Sequence, residues 1–180
     1  MKWALGKISD YSDSEYEKIY ANLSKSRKAR VDRLKIEKDR KRSLLGELLI
    51  RKLLLEEGIK ADVLSDDNGK PYLSHPSYFI SISHSGEMAA AIISKNNVGI
   101  DIEKIQDIDL RLIKRVCTDR EAEYVKNSDD PNLSFLEIWT AKEAYFKKQG
   151  TGITNLKSVD VLGIEKERII ENGYIIQIVY

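Results

Sequence analysis

Asp101 and Glu103 stand two residues apart in the stretch Asn97-Val98-Gly99-Ile100-Asp101-Ile102-Glu103-Lys104. Strand alternation puts Val98, Ile100 and Ile102 on one face and Gly99, Asp101 and Glu103 on the other. The two carboxylates then lie roughly 6–7 Å apart, at about 3.3 Å of rise per residue. Like charges that close repel unless a cation or strong donors sit between them, and a hard divalent ion is the simplest resolution. Further on, Trp139, Glu143 and Lys147 fall at i, i+4 and i+8 of a helix predicted over residues 135–149, so they share one helical face. Taken alone, Glu143 and Lys147 also fit an ordinary surface pair worth about 0.2–0.5 kcal/mol.

A second set of candidates is basic. Between Lys25 and Arg42 there are ten Lys/Arg against three Asp/Glu. Arg27, Arg30, Arg33 and Lys41 recur there at near-helical spacing, which suits either a solvated helix face or a polyanion site. The formal net charge is only +1, so this excess is local rather than a global attraction to nucleic acid or membrane. Asp66-Asp67-Asn68-Gly69-Lys70-Pro71 is a turn by composition and sets Lys70 at its tip; a loop lysine by itself reads as a solubilising charge. Ser81, Ser83 and Ser85 share a strand face and His84 closes that strand. This is either structural hydrogen bonding or an anion-binding rim.

These residues need elements to hold them. Ser12 followed by Glu15 fits a capping box for a first helix. Residues 43–57 give the clearest helix: Leu45, Leu48, Leu49 and Leu53 form its stripe, while Glu47, Arg51 and Glu56 are predicted to lie away from it. Ser43 at its start suits a cap or a bound phosphate, Gly46 implies close helix–sheet contact, and Gly58 ends it. Residues 79–83, 88–93 and 98–103 are predicted as three adjacent strands of a meander. Short helices follow at 110–114 and 119–126, and terminal strands at 158–162, 168–170 and 174–179.

Composition excludes several classes. A hydrophobic content of 42% and a charged content of 33% describe a folded globular chain. One cysteine, Cys117, allows no internal disulfide, which points to a reducing, cytoplasmic setting; no apolar run suits a signal peptide or a membrane span. There is no phosphate-loop pattern, no G-x-G-x-x-G and no nucleophile elbow. One cysteine and two histidines cannot make the usual structural zinc set. Carboxylates for a divalent ion, with separate cations, suit a phosphate ester or pyrophosphate substrate. A magnesium-dependent phosphohydrolase or nuclease uses the same parts, although the lysine usual in such nucleases follows the glutamate by two residues and Lys104 is adjacent. A non-enzymatic module binding an anionic partner through Lys25–Arg42 is a third reading.

The order Val98-Gly99-Ile100-Asp101-Ile102-Glu103, then 35 residues, then Trp139-Thr140-Ala141-Lys142-Glu143-Ala144-Tyr145-Phe146-Lys147 resembles the 4′-phosphopantetheinyl transferases. Their pattern is a G-[IV]-D-x-E strand followed by a W-[ST]-x-K-E-x-x-x-K helix. Gly69-Lys70-Pro71 and Ile82-Ser83-His84-Ser85 resemble the family's loop and hairpin motifs, and the glutamate after the aspartate points to the Sfp type. The resemblance implies an α+β fold of two similar lobes about a pseudo-twofold axis, each with a small antiparallel sheet and packed helices, together enclosing coenzyme A. We expect an N-terminal lobe at residues 1–100 and a C-terminal lobe at 101–180. By motif, Asp101, Glu103 and Glu143 would hold Mg²⁺ and the pyrophosphate. Glu143 would take the proton of a carrier-protein serine, and Lys147 would stabilise the leaving 3′,5′-ADP. Arg27, Arg30, Ser43, Lys70, Ser83 and His84 match positions that hold the adenosine and phosphates. The implied partner is an apo-acyl or peptidyl carrier protein, with no nucleic acid or membrane, and the implied state is a monomer. Sfp-type chains usually run on beyond a strand like Tyr174–Tyr180, so an exposed strand edge is expected there.

Overall fold

The computed structural model describes residues 1–152 and 155–180, in two compact units that divide between Val98 and Gly99. In the first unit, strand β1 (Lys2–Lys7) leads to helices α1 (Asp13–Ala21), α2 (Lys25–Asp32) and α3 (Glu37–Glu56). Four strands follow: β2 (Val63–Ser65), β3 (Pro71–Leu73), β4 (Phe79–Ser85) and β5 (Met88–Ser94). The main sheet runs β1-β5-β4, all antiparallel, while β2 and β3 form a separate hairpin. Ser12 caps α1 with the expected reciprocal box to Glu15.

The leucine stripe drives α3 onto this sheet. Leu45, Leu49, Ile50 and Leu53 are buried against Ile80, Ala89, Ala91 and Ile93. Two glycines set the distance: a Cβ on Gly46 would lie 2.4 Å from Ile82 Cγ2, and one on Gly6 would lie 3.1 Å from Leu49 Cδ2. The helix begins at Glu37, six residues before its predicted start, and a break after Arg33 separates it from α2. Arg27 and Arg30 therefore sit on one helix and Lys41 on another, not on one continuous basic face. Lys41 pairs with Asp13 and Glu37.

Glu47 departs from the amphipathic pattern. Instead of facing solvent it is fully buried, because Arg27 Nε meets Oε2 at 3.1 Å and Arg51 Nε meets Oε1 at 3.1 Å. Two guanidinium groups supply what water would have supplied, which is the condition for keeping a carboxylate inside.

The second unit repeats the plan. Strand β6 (Gly99–Lys104) leads to helices α4 (Ile113–Val116), α5 (Asp119–Lys126) and α6 (Pro131–Gln149), then to a hairpin of β7 (Lys166–Glu171) and β8 (Tyr174–Val179). Its sheet runs β6-β8-β7, so here too the last strand lies between the first strand and its own hairpin partner. Two similar α+β lobes are thus present, as the resemblance implies.

Three expectations are corrected. The strand at 98–103 does not extend the β4–β5 hairpin: the far edge of β5 is already paired with β1, from Lys2↔Ile93 to Lys7↔Met88, and β6 pairs with β8 instead. Residues 158–162 form no strand; a short turn of 3₁₀ helix ends at Ser158. Tyr174–Val179 is the central strand of its sheet rather than an edge, and β7 takes the outer position.

Replacing Arg27 with Ala leaves Glu47 with Arg51 alone in a buried position. The expected loss is about 3–5 kcal/mol in urea unfolding. A loss below about 1 kcal/mol would show that the pair carries no such weight.

Candidate active site

The acidic centre lies within the second unit, where α6 crosses β6. Asp130 caps α6 through Leu133 N at 3.0 Å with Pro131 in its first turn, and Gly150 ends it at φ +73°. Contact between helix and strand depends on Gly99. A Cβ there would stand 1.9 Å from the Ala144 carbonyl oxygen and 2.8 Å from Lys148 N, closer than any side chain allows.

Rotation of α6 about its own axis is fixed from another side. Lys142 is fully buried and its Nζ lies 2.7 Å from Glu121 Oε2, 2.7 Å from Leu156 O and 2.5 Å from Val159 O. Glu121, equally buried, accepts from Thr118 N at 2.7 Å and Val161 N at 2.8 Å. With every polar atom of this pair engaged, the residue that follows Lys142 is turned roughly 100° away from it. That residue is Glu143.

One carboxylate oxygen from each of Asp101, Glu103 and Glu143 lies within 4.8 Å of the others. Lys147 Nζ lies 2.5 Å from Asp101 Oδ1, so this lysine reaches the strand rather than only its own helix face. The Trp139 indole N–H donates to Glu143. Burial pushes the Glu143 carboxyl up to about 7; the charge of Asp101 and then that of Glu103 add to the rise, while Lys147 and the Trp139 bond oppose it. Glu143 therefore keeps its proton well above the usual carboxylate range, because burial disfavours its charged form and a third negative charge beside Asp101 and Glu103 adds to that cost. Three hard oxygen donors that repel one another to this degree fit a divalent cation of the magnesium or calcium type, which would hold all three carboxylates charged.

The basic candidates lie in the first unit. Arg27 is only 4% exposed, with Nη1 3.3 Å from Ser65 Oγ in addition to its bond with Glu47. Burial, ahead of the neighbouring Arg30, lowers its pKa. The resemblance implies a nucleotide ligand at this position, and the guanidinium lies largely inside the protein. Arg30 is exposed and lies over the 66–70 turn, its Nη1 1.9 Å from where a Gly69 Cβ would be. Lys70 follows in the same turn, half-buried, and burial lowers its pKa. Ser43 lies in α3 one turn before Gly46, and Arg42 Nη1 reaches the Gly86 carbonyl at 3.4 Å, which brings this part of α3 to the end of the hairpin that carries His84. His84 is exposed on the same face of β4 as Ile82, whereas Ser83 is buried on the other face. The structure thus groups Asp101, Glu103, Glu143 and Lys147, and separately Arg27, Arg30 and the Lys70 turn; it does not put Ser83 and His84 on one face.

Sequence reasoning gave Lys142 and Glu121 no role. The available signal was a lysine one position before Glu143, on a part of the helix lined by Ile138 and Ala141.

A family model described as the 4′-phosphopantetheinyl transferase superfamily matches residues 97–176, and one described as 4′-phosphopantetheinyl transferase, N-terminal, matches residues 10–96. The chain is 38% identical over 143 residues to the 4′-phosphopantetheinyl transferase gsp of Aneurinibacillus migulanus, covering 75% of this chain and 59% of that protein. It is 29% identical to the 4′-phosphopantetheinyl transferase Sfp of Bacillus subtilis, covering 79% and 67%. It is 30% identical to the 4′-phosphopantetheinyl transferase HetI of a Nostoc species, covering 84% and 70%. The chain therefore spans about three-fifths to seven-tenths of the length of these relatives. Among the described residues, no helix is long and apolar enough to cross a membrane.

The raised Glu143 pKa has a definite sign. The folded, metal-free chain holds this proton until pH approaches about 7, whereas the unfolded chain releases it near the ordinary glutamate value of 4.5. The resulting stability is complete below the unfolded value and is lost as pH rises through the folded one. Relative to Glu143→Gln, the metal-free wild type is therefore expected to lose Tm between pH 5 and pH 8. Mg²⁺ binding is expected to release nearly one proton at pH 6 and about a tenth of one at pH 8, read by calorimetry in buffers of different ionisation heat. Equal proton release at both values would contradict the assignment.

Proposed function

From membership of the 4′-phosphopantetheinyl transferase superfamily, to which this chain belongs as one of the Sfp type, we propose that it transfers the 4′-phosphopantetheine group of coenzyme A to a serine of an apo-carrier protein. The observation that carries this reading is the meeting of Glu143 with Asp101, Glu103 and Lys147. Oxygen donors for a hard cation, a carboxyl of adjustable pKa and a fixed ammonium are what cleavage of a pyrophosphate requires.

Asp101, Glu103 and Glu143 would hold Mg²⁺, which when bound supplies neutralising charge for the two phosphates. Glu143, ionised once its charge is balanced, accepts the proton of the carrier serine directly or through one water. The serine oxygen forms its bond to the β-phosphorus as the bond from that phosphorus to the bridging oxygen breaks. The departing oxygen, with 3′,5′-ADP, gains negative charge that the Lys147 ammonium offsets. Asp101 holds that ammonium in place at 2.5 Å before substrate arrives, so its orientation is settled in advance.

Arg30, Lys70, Ser43, Ser83 and His84 of the first unit would bind the nucleotide and its phosphates. Arg27 acts with them chiefly by holding α2 to α3 through Glu47, a support for the binding surface. The acceptor is an acyl or peptidyl carrier protein, and the setting is the reducing cytoplasm, where a lone buried Cys117 thiol, pushed up to about 11 chiefly by burial, stays unreactive. We take the working form as a monomer, acting without nucleic acid or membrane.

The test is incubation of the chain with coenzyme A, Mg²⁺ and a panel of apo-carriers, read by mass spectrometry. One phosphopantetheinyl group per carrier is expected, with Glu143→Gln slower by about 10²–10⁴-fold and Asp101→Ala inactive. A folded wild-type chain that leaves every carrier unmodified while hydrolysing phosphate esters would overturn the proposal.

A further inference from the structure

The turn at Asp66–Lys70 is latched three times: Gly69 N to Asp66 O at 2.9 Å, Asp66 N to Lys70 O at 3.0 Å, and Lys70 N to Asp66 Oδ1 at 2.7 Å. Helix α2 is stitched to the same hairpin. Ser24 Oγ donates to Val63 O at 2.8 Å, Ser65 N donates to Ser26 Oγ at 3.1 Å, and Arg27 Nη1 reaches Ser65 Oγ at 3.3 Å. Arg30 lies one turn further along α2 from Arg27, and its side chain therefore arrives at the hairpin tip. What it meets there is a residue without a side chain. A Cβ on Gly69 would stand 1.9 Å from Arg30 Nη1, 2.9 Å from Cζ and 3.6 Å from Nε. The guanidinium thus lies against the glycine backbone, in space that any other residue would fill.

We propose that Gly69 is a positioning residue for Arg30: the missing side chain forms a seat that orders the guanidinium, beside the turn carrying Lys70, as a preformed phosphate ligand. This inference rests on the reading of the first unit as the nucleotide grip. An arginine free to sample its rotamers loses that freedom on binding, and seating it beforehand removes the cost from the binding step. The planar fork then meets a phosphate with its donors already oriented. Gly69 also has φ +82°, so the position asks for glycine twice, by backbone and by clearance.

The experiment is a double-mutant cycle on the full chain, with 3′,5′-ADP as the probe in calorimetry. Gly69→Ala and Arg30→Ala are each expected to weaken binding by about three- to tenfold. Together they are expected to be no weaker than Arg30→Ala alone, because the seat has no function without its occupant. Backbone strain from a side chain at positive φ persists in the Arg30→Ala background, so that arm isolates it. Gly69→Asn, which tolerates the left-handed backbone but carries a Cβ, is expected to match Gly69→Ala. In turnover, Gly69→Ala is expected to raise KM for coenzyme A with kcat nearly unchanged. Additive losses in the cycle, or a Gly69→Asn chain that binds like wild type, would overturn the inference while leaving the transferase reading intact. A wild-type chain that binds no 3′,5′-ADP would overturn the nucleotide-grip reading, and the positioning role with it.

Discussion

The approach of α6 to β6 at Gly99 is the constraint on which the acidic centre depends. A helix backbone cannot normally lie this close to a strand, because a Cβ intervenes. With none at Gly99, the Ala144 carbonyl descends onto the strand, and Glu143 just before it and Lys147 one turn after it come to Asp101 and Glu103. Shifting the helix outward by even an ångström would separate oxygens that now lie within 4.8 Å, and sites of this kind lose function steeply with such displacement. The Lys142–Glu121 pair complements this contact by setting how α6 is turned. Distance and rotation are thus controlled by different residues.

Burial of charge follows two opposite rules in this chain. Glu47 and Glu121 are fully buried and satisfied, each by cations and donors of its own unit, and serve to join elements. Glu143 is half-buried against two other carboxylates with one lysine nearby, and its pKa rises to about 7 instead. A satisfied buried acid marks architecture, whereas one left in conflict marks a candidate functional site.

Much of this was legible in the sequence, for reasons that can be stated residue by residue. Asp101 and Glu103 share a strand face by alternation, and Trp139, Glu143 and Lys147 share a helix face by period, so each half of the centre follows from local geometry. The leucine stripe of α3 and the Ser12–Glu15 box were equally local. That strand and helix would face each other was not legible, since it depends on a glycine whose importance appears only when Ala144 lies above it. Strand pairing failed for the same reason: hydrophobic runs at 88–93 and 98–103 say nothing of β1 returning to occupy β5, or of β8 to occupy β6. Glu47 was misplaced because amphipathic period assigns an acid to solvent, and only Arg27, twenty residues away in the chain, reverses that. The same long-range pair holds the Arg27 guanidinium inside the protein.

The most direct test of the account is the response of Gly99→Ala to Mg²⁺. A ligand that binds only the folded state raises Tm according to its affinity, and the wild-type chain is expected to gain Tm as Mg²⁺ is added. Gly99→Ala is expected to retain its helical circular dichroism and cooperative unfolding while losing most of that gain, because its three carboxylates no longer converge. A Gly99→Ala chain with an undiminished Mg²⁺ response would show that the contact of α6 with β6 does not build the centre, and would contradict the account at its base.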